Sequence, residues 1–326
     1  MPASLPLRRR TCLAAAGALL VPGLRAQRTY PERPIKAVVP NAPGSSVDTI
    51  GRVATMEMAK VLGQPLVIDN RAGAAGAIGV EAVRNAAPDG YTVLVGSSSA
   101  ISVAPFLQKA VTYQPLRDFD LVSLIALLPN VLVCNPQLPV QNVRDFIAYA
   151  RSKNGDLRMA SAGIGSVSHL AGAAFQTAAG VKALHVPYKG GSQGVASVVS
   201  GETDWVLTPA PAAMALVAGK RLKLLGHSMA PGTQPLGATP AIGSELPGFE
   251  FASWIGLMAP KGLPAGATDA LVRAVAVAVQ RSEVQKSFEL NGAVAHASTP
   301  EEFRAYLVRD IETTRHAIAA AGVQAE

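Results

Sequence analysis

The chain has 326 residues, about twice the usual length of one domain, so we expect two domains with separate cores. Hydrophobic residues make up 49% and charged residues 16%, which supports folded cores and excludes a disordered chain. The formal net charge is +7, but aromatic residues are only 5% and the basic residues are scattered. This pattern lacks the basic groove with stacking rings that nucleic acid requires, so we expect no nucleic-acid partner.

The first 26 residues have the layout of a secretory signal peptide. Three arginines at 8–10 are followed by an apolar run at 12–22 and by the small residue Ala26, where cleavage is expected. The paired arginines also fit a twin-arginine signal, which is an alternative export route. After cleavage Cys134 is the only cysteine, so neither an internal disulfide nor a cysteine metal cluster is expected. We predict a periplasmic protein without a cofactor.

From residue 34 onward, short β-branched runs alternate with alanine-rich stretches, as in parallel sheets covered by helices. The first series predicts strands at 35–39, 66–68 and 91–95 and helices at 47–62 and 78–86. The second series predicts strands at 131–134, 157–160, 184–186, 205–207 and 222–226 and helices at 143–152, 168–179 and 193–200. After the Pro- and Gly-rich tract 231–248, the sequence predicts a strand at 253–258 and helices at 267–282 and 301–321. We expect those last two helices to cover the first lobe.

These elements predict an α/β protein with two lobes. Lobe 1 is expected to contain residues 27–127 and 252–326, and lobe 2 residues 128–251. Two crossings of the chain between the lobes would form a hinge. Because open α/β sheets bind ligands at the carboxyl ends of their strands, the cleft between the lobes is the expected site.

The loop at 40–48 joins the first strand to the first helix. Its small residues expose backbone N–H groups at a helix N-terminus, which attracts anions through unpaired donors and the helix dipole. The candidate residues of this loop are Ala42, Gly44, Ser45, Ser46 and Asp48. For Asp48 two interpretations stay open: it caps the helix, or it accepts a hydrogen bond from the ligand.

The loop at 161–166 repeats this arrangement in the second lobe. Its candidate residues are Ser161, Gly163, Gly165 and Ser166. A purely structural alternative is that the two glycines only allow a tight turn. Two helix starts that face one cleft would suit a dicarboxylate or an amino acid, and further candidate contacts come from Ser98, His169 and Tyr188.

A competing interpretation is a secreted serine hydrolase. Residues 190–194 fit the GxSxG pattern between a strand and a helix, with Ser192 as the nucleophile. Its triad partners would be Asp204 or Asp269 together with His296 or His316. No HGGG-like oxyanion segment precedes Ser192, so this alternative is not favoured.

Several short motifs occur together in one order along the chain. They are Pro34-Ile35, residues 39–48, Leu62-Gly63-Gln64-Pro65, Asp69-Asn70-Arg71, Pro88-Asp89-Gly90-Tyr91-Thr92, 161–166 with His169-Leu170, 185–190, and Trp254-Ile255-Gly256 with Ala259-Pro260. In this combination the sequence resembles the Bug family of periplasmic solute receptors, which serve tripartite tricarboxylate transport systems.

The resemblance implies a type II periplasmic-binding fold, the Venus flytrap, in which both small-residue loops hold a ligand carboxylate, partly through water. It also implies a receptor without enzymatic activity that delivers its ligand to a membrane permease, and we expect a monomer. The chain departs from the family pattern at Ser45, where glycine is common, at Ala173, where an acidic residue is common, and across 230–245. The ligand therefore stays open among di- and tricarboxylates, amino acids and aromatic acids. A sensor that presents its ligand to a signalling partner is an alternative role for the same fold.

Overall fold

The computed structural model describes residues 30–324, and the predicted signal peptide lies outside them. The strands are β1 (Ile35–Val39), β2 (Leu66–Asn70), β3 (Thr92–Ser97), β4 (Phe119–Cys134), β5 (Gly155–Ser161), β6 (Ala183–Pro187), β7 (Trp205–Pro209), β8 (Lys223–His227), β9 (Ala252–Pro260) and β10 (Val294–Ala295). The helices are α1 (Ser46–Leu62), α2 (Ala77–Arg84), α3 (Ala104–Leu107), α4 (Pro115–Asp118), α5 (Val143–Ser152), α6 (Val167–Ala179), α7 (Gly191–Ser200), α8 (Met214–Ala218), α9 (Ala265–Val279), α10 (Ser282–Leu290) and α11 (Pro300–Ala321). Within 30–324, no helix has both the length and the apolar character that a membrane crossing needs.

One long strand, β4, connects the two lobes. Strands β2, β1, β3, β9 and β4 lie in that order in lobe 1, and β4, β7, β5 and β6 continue the order in lobe 2. The first part of β4 pairs with β9 as far as Pro129, and from Asn130 onward it pairs with β7 instead. The sheet is thus continuous, and its partners change at the point where the chain passes between the lobes.

The strand directions bring the functional ends of both half-sheets together. Strands β1, β2 and β3 are parallel, and β4 runs in the same direction, because β9 is antiparallel to both β3 and β4. Strand β7 is antiparallel to β4, and β5 and β6 follow β7. Consequently the carboxyl ends of β1 and β3 point toward lobe 2, and those of β5 to β7 point toward lobe 1.

Each lobe has hydrophobic layers of its own. Helices α1 and α9 cover one face of the lobe 1 sheet, with Ile50, Met58 and Leu271 fully buried between helices and sheet. In lobe 2, Phe146 of α5 and Phe175 of α6 pack on Trp205, with ring centroids 5.4 and 5.6 Å from the indole. The burial of such side chains is the main favourable contribution to the stability of each lobe.

The structure differs from the predicted elements in several places. The predicted strand 131–134 is the end of a longer strand, β4, which begins at Phe119. The short helices α3, α4, α8 and α10 and the short strand β10 were not predicted. The expectation that both tail helices cover lobe 1 is right for α9 but wrong for the end of α11, where Ala317 packs in the lobe 2 core because the helix is long enough to pass the hinge.

Candidate functional site

A cleft of about 370 Å³ lies where the carboxyl ends of the two half-sheets meet. Its volume falls within the range of roughly 300–1,000 Å³ of small-molecule sites. Lobe 1 contributes Pro40, Asn41, Ala42, Ala72, Gly73, Ala75, Gly76, Ser99, Val103, Ala104, Leu107 and Gln108, and lobe 2 contributes Ala162, Ile164, Gly165, Ser166 and Lys189. The two candidate loops therefore share one gap.

The lobe 1 loop leads directly into α1. Ser45 is the N-cap, and its Oγ accepts a hydrogen bond from the Asp48 backbone N–H at 3.3 Å. Gly44, at φ +78°, donates its N–H to Asp48 Oδ2 at 2.8 Å. The Asp48 carboxylate therefore accepts a hydrogen bond from its own loop, and Ser45 rather than Asp48 is the N-cap of α1.

The Asp48 carboxylate is also held by side chains of α1 and β2. Arg52 Nε donates to Oδ2 at 3.0 Å, and Asn70 Nδ2 donates to Oδ1 at 2.8 Å. Burial alone raises the pKa of this carboxyl, but the hydrogen bonds from Arg52, Gly44 and Asn70 outweigh burial and hold the pKa below its ordinary value. The lobe 1 loop thus contains a charge that its own neighbours neutralise.

The lobe 2 loop has the same local arrangement with a neutral side chain. Ser166 is the N-cap of α6 and accepts from the His169 N–H at 3.3 Å. Gly165, at φ +72°, donates its N–H to His169 Nδ1 at 3.1 Å. Ala162 donates to Ser168 Oγ at 2.8 Å, and Gly163 donates to Ser161 Oγ at 3.1 Å.

Internal acceptors thus occupy most of the loop N–H groups that the sequence suggested were free for a ligand. The first turn of α6 starts at Val167 and Ser168, where a helix leaves backbone N–H groups without a carbonyl partner. These two N–H groups follow Ser166, which lines the cleft, and a helix N-terminus of this kind favours a negative charge.

Two stacked histidines lie beneath this loop. The rings of His169 and His185 are 3.8 Å apart with an interplanar angle of 2°, and His185 Nε2 lies 2.7 Å from Ser161 Oγ. Burial, with a smaller contribution from His185, lowers the pKa of His169 to about 4, and burial also lowers the pKa of His185. Both rings are therefore neutral at pH 7, which suits face-to-face stacking. Sequence reasoning did not single out His185 as a neighbour of this loop, although it belongs to the quoted 185–190 motif.

Lys189 is the one charged side chain among the residues described as lining the cleft. Within residues 30–324 no carboxylate forms a salt bridge with its ammonium group, and no aspartate or glutamate lines this cleft. The cleft therefore carries an uncompensated positive charge. The sequence placed Lys189 after β6 but did not indicate whether it faces solvent or ligand.

Eleven of the twelve predicted contact residues fall into three groups. Ala42, Gly165 and Ser166 line the cleft. Gly44, Ser45, Ser46, Asp48, Ser161, Gly163 and His169 belong to the two loops and helix starts beside it. Ser98 is buried just before Ser99, which does line the cleft. Ligand contact by these residues remains a prediction.

Tyr188, the remaining candidate, is not among the residues that line the cleft. Its side chain packs against the lobe 2 cluster that contains Val195 and Val198 of α7, and its backbone N–H donates to Ser161 O at 3.1 Å. Tyr188 thus supports the lobe 2 loop through its backbone, and ligand contact by its ring stays a prediction.

The hydrolase alternative receives no support from the geometry. Ser192 is exposed in the first turn of α7, and within the described part of the chain no hydrogen bond joins it to a histidine. Asp204, its predicted acid partner, accepts hydrogen bonds from Arg158 at 2.7 to 3.3 Å. The residues named for a catalytic triad are therefore not assembled.

A mixed sheet folded into two lobes, with a cleft at the facing strand ends, is the architecture of periplasmic binding proteins. Residues 50–322 match the family model described as the tripartite tricarboxylate transporter family receptor, TctC. The chain belongs to this family of solute receptors, which includes the Bug proteins.

Individual relatives agree with this assignment. Protein BugT of Bordetella pertussis is 34% identical over 287 residues, which cover 87% of this chain and 88% of that protein. The solved structure described as R. palustris Rpa4515 with adipate has a TM-score of 0.82 at 29% identity and covers 91% of this chain and 100% of its own. MatC from Rhodopseudomonas palustris with bound malate has a TM-score of 0.76 at 30% identity, with coverages of 89% and 100%.

Proposed function

We propose that this chain captures a small carboxylate in the interlobe cleft and releases it unchanged. One observation carries the proposal: the cleft joins the N-terminus of α6 to the unpaired Lys189, without an acidic side chain among its described lining residues. Such a site attracts anions and disfavours cations. The adipate and malate of the two solved relatives are carboxylates of this kind.

The lining also suggests the shape of the ligand. Between its few polar groups the cleft presents short apolar side chains, among them Val103, Leu107 and Ile164, the last of which is 61% exposed. A site of this composition favours a ligand with an apolar middle and a charged group at each end. We therefore propose an aliphatic or aromatic dicarboxylate as the preferred ligand class, with amino acids bound less well.

Capture requires movement of the lobes but no chemical step. The ligand favours the closed form only to the extent that it binds that form more tightly than the open one. Lys189 of lobe 2 and Ala42 of lobe 1 line the same cleft, so a ligand between them contacts both lobes at once. We propose that the chain is a receptor and not an enzyme.

The sequence and the family support a proposal for the cellular setting. We propose export by residues 1–26, cleavage near Ala26, and a periplasmic receptor that acts as a monomer. Its partner would be the membrane permease of a tripartite transport system. The twin-arginine route remains an alternative for export.

The test compares two lysines at opposite ends of β6. Lys189→Met removes the cleft charge, and Lys182→Met, just before β6, removes an exposed charge away from the cleft. Thermal-shift screening of mono-, di- and tricarboxylates identifies a ligand, because a bound ligand raises the melting temperature. Calorimetry then measures the affinities of both variants for that ligand.

We expect Lys189→Met to weaken dicarboxylate binding by roughly tenfold to a hundredfold, the usual effect of losing a hydrogen bond to a charged group. Lys182→Met should bind like the unmodified protein. Failure of every carboxylate to bind, or equal losses in both variants, would contradict the proposal.

A further inference from the structure

Residues 99–107 form a segment, here called the strap, that contacts both lobes. The strap follows β3 and consists of the π-helical turn Ser99–Val103 and the helix α3. Ala100 and Ile101 pack in a lobe 1 cluster with Leu94 and Trp254, as expected from their place in the chain. Val103 and Leu107 pack instead in the lobe 2 core, together with Val167, Leu170 and Phe175. The strap therefore bridges the lobes through its side chains.

The strap is also a wall of the ligand cleft. Ser99, Val103 and Leu107 line the cleft, and Leu107 reaches the lobe 2 loop. A Cβ atom added at Gly165 would lie 2.3 Å from Leu107 Cδ1, so the two groups are in close contact. Any separation of the lobes must break this contact or move the strap.

A buried carboxylate of α11 holds the middle of the strap. Ser102, whose side chain is fully buried, donates its Oγ–H to Asp310 Oδ2. The indole Nε1–H of Trp254, at the start of β9, donates to the same oxygen at 2.7 Å. One carboxylate thus joins the strap, the strand β9 and the helix α11.

Asp310 lies where α11 passes from one lobe to the other. Before it, Phe303 and Leu307 pack in lobe 1, with the Phe303 ring 5.2 Å from the Trp254 ring. After it, Ala317 packs in the lobe 2 core. Helix α11 therefore packs on lobe 1 before Asp310 and on lobe 2 after it.

Asp310 does not belong to the ligand site itself. It lines a separate cavity of about 200 Å³ with Glu250, Tyr306, Arg309, Thr313 and Thr314, and this cavity shares no lining residue with the ligand cleft. Burial raises the pKa of the Asp310 carboxyl, whereas the hydrogen bonds from Ser102 and Trp254 oppose that rise. Its hydrogen bond from Ser102 connects this carboxyl to the strap, which lines the cleft.

We propose that Asp310 is a positioning residue for ligand capture: it fixes the strap to strand β9 and to α11, and so couples the cleft wall to the relative position of the lobes. The link to ligand affinity rests on the proposed function, but the anchoring of the strap does not. Loss of the carboxylate leaves two buried donors, the Ser102 hydroxyl and the Trp254 indole, without an acceptor.

The experiment measures the strap first without ligand. Hydrogen exchange of the backbone amides of 99–107 is compared in the exported chain and in Asp310→Ala, Asp310→Asn and Ser102→Ala. Glu312→Ala is the matched control, because this acid lies on α11 but is exposed. The Trp254 indole N–H signal in NMR spectra reports its hydrogen bond directly.

In Asp310→Ala we expect strap exchange to accelerate about tenfold or more and the Trp254 signal to shift. Asp310→Asn keeps an acceptor oxygen, so its strap exchange and its Trp254 signal should resemble those of the unmodified protein. Glu312→Ala should change neither the strap exchange nor the Trp254 signal. Ser102→Ala should accelerate exchange in the strap while the Trp254 signal stays in place, which decides the matter even if Asp310→Ala fails to fold. Unchanged strap exchange in Ser102→Ala, or equal acceleration in Glu312→Ala, would overturn the proposal.

A titration with adipate then separates the two proposals. We expect Asp310→Ala to bind adipate at least tenfold more weakly and Asp310→Asn to bind it within a few-fold of the unmodified affinity. If the unmodified chain binds no carboxylate, the proposed function fails, while the exchange data still decide whether Asp310 anchors the strap. If Asp310→Ala loosens the strap but retains full affinity for adipate, the coupling is wrong.

Discussion

At the residue scale, the two loops use one arrangement with different charges. In each, a glycine of positive φ donates its N–H to the side chain four residues later, Asp48 in lobe 1 and His169 in lobe 2. The Asp48 carboxylate is neutralised by Arg52, whereas His169 is held neutral by burial. An anion in the cleft therefore meets no uncompensated negative charge from either loop.

The neutral state of His169 predicts a pH dependence of stability. Its folded pKa of about 4 lies below the ordinary 6.5, so the unfolded chain binds the extra proton first as the pH falls. The contribution of neutral His169 to the free energy of unfolding is therefore complete above about pH 6.5, and it is lost as the pH falls toward 4. Because solvent screens part of this effect, we expect the free energy of unfolding to fall by about 2 kcal/mol over this pH range.

Urea unfolding at pH 7 and pH 4.5 measures this loss. His169→Asn keeps an acceptor for the Gly165 N–H but removes the titrating ring, so its stability should change less between the two pH values. An identical pH dependence in both proteins would show that His169 is not the responsible group.

At the element scale, the sequence predicted most helices and strands, because hydrophobic periodicity and turn residues mark them. It did not predict the continuity of β4, because Pro129 and Asn130 interrupt an apolar run and a proline weakens a central strand. In the structure β4 changes its neighbour from β9 to β7 at these two residues. A proline is tolerated there because the hydrogen bonding with one neighbour ends and that with the next begins. The sequence likewise did not predict that α11 packs on both lobes. Hydrophobic periodicity shows which face of a helix is buried, but it does not show which elements cover that face.

The glycines of the two loops allow a matched comparison. Both Gly44 and Gly165 have positive φ, so alanine at either position strains the backbone by about 1–2 kcal/mol. A Cβ at Gly44 meets no atom within 4 Å, whereas one at Gly165 meets Leu107 at 2.3 Å. We expect Gly165→Ala to lower the free energy of unfolding by a further 1–3 kcal/mol or so, the usual cost of overpacking. Equal losses in the two variants, measured by denaturant unfolding, would show that the strap does not press on the lobe 2 loop.

At the scale of the whole molecule, the sequence predicted two α/β lobes and a cleft between strand ends, because alternating strands and helices restrict the topology to few choices. It placed both small-residue loops, and Ala42, Gly165 and Ser166 do line the common cleft. It did not predict the cluster against which the Tyr188 ring packs, or the contacts of the strap with both lobes. Those features depend on which way a side chain turns after its strand has ended and on contacts between residues far apart in the chain.

The central claim is that a carboxylate lies between the lobes at the start of α6, and a crystal structure grown with adipate tests it most directly. The account predicts ligand density in the cleft beside Ala42, Ser166 and Lys189, with carboxylate oxygens directed toward the first turn of α6, directly or through water. Adipate found only in the cavity beside Asp310 or on the outer surface, with the cleft empty, would contradict the account.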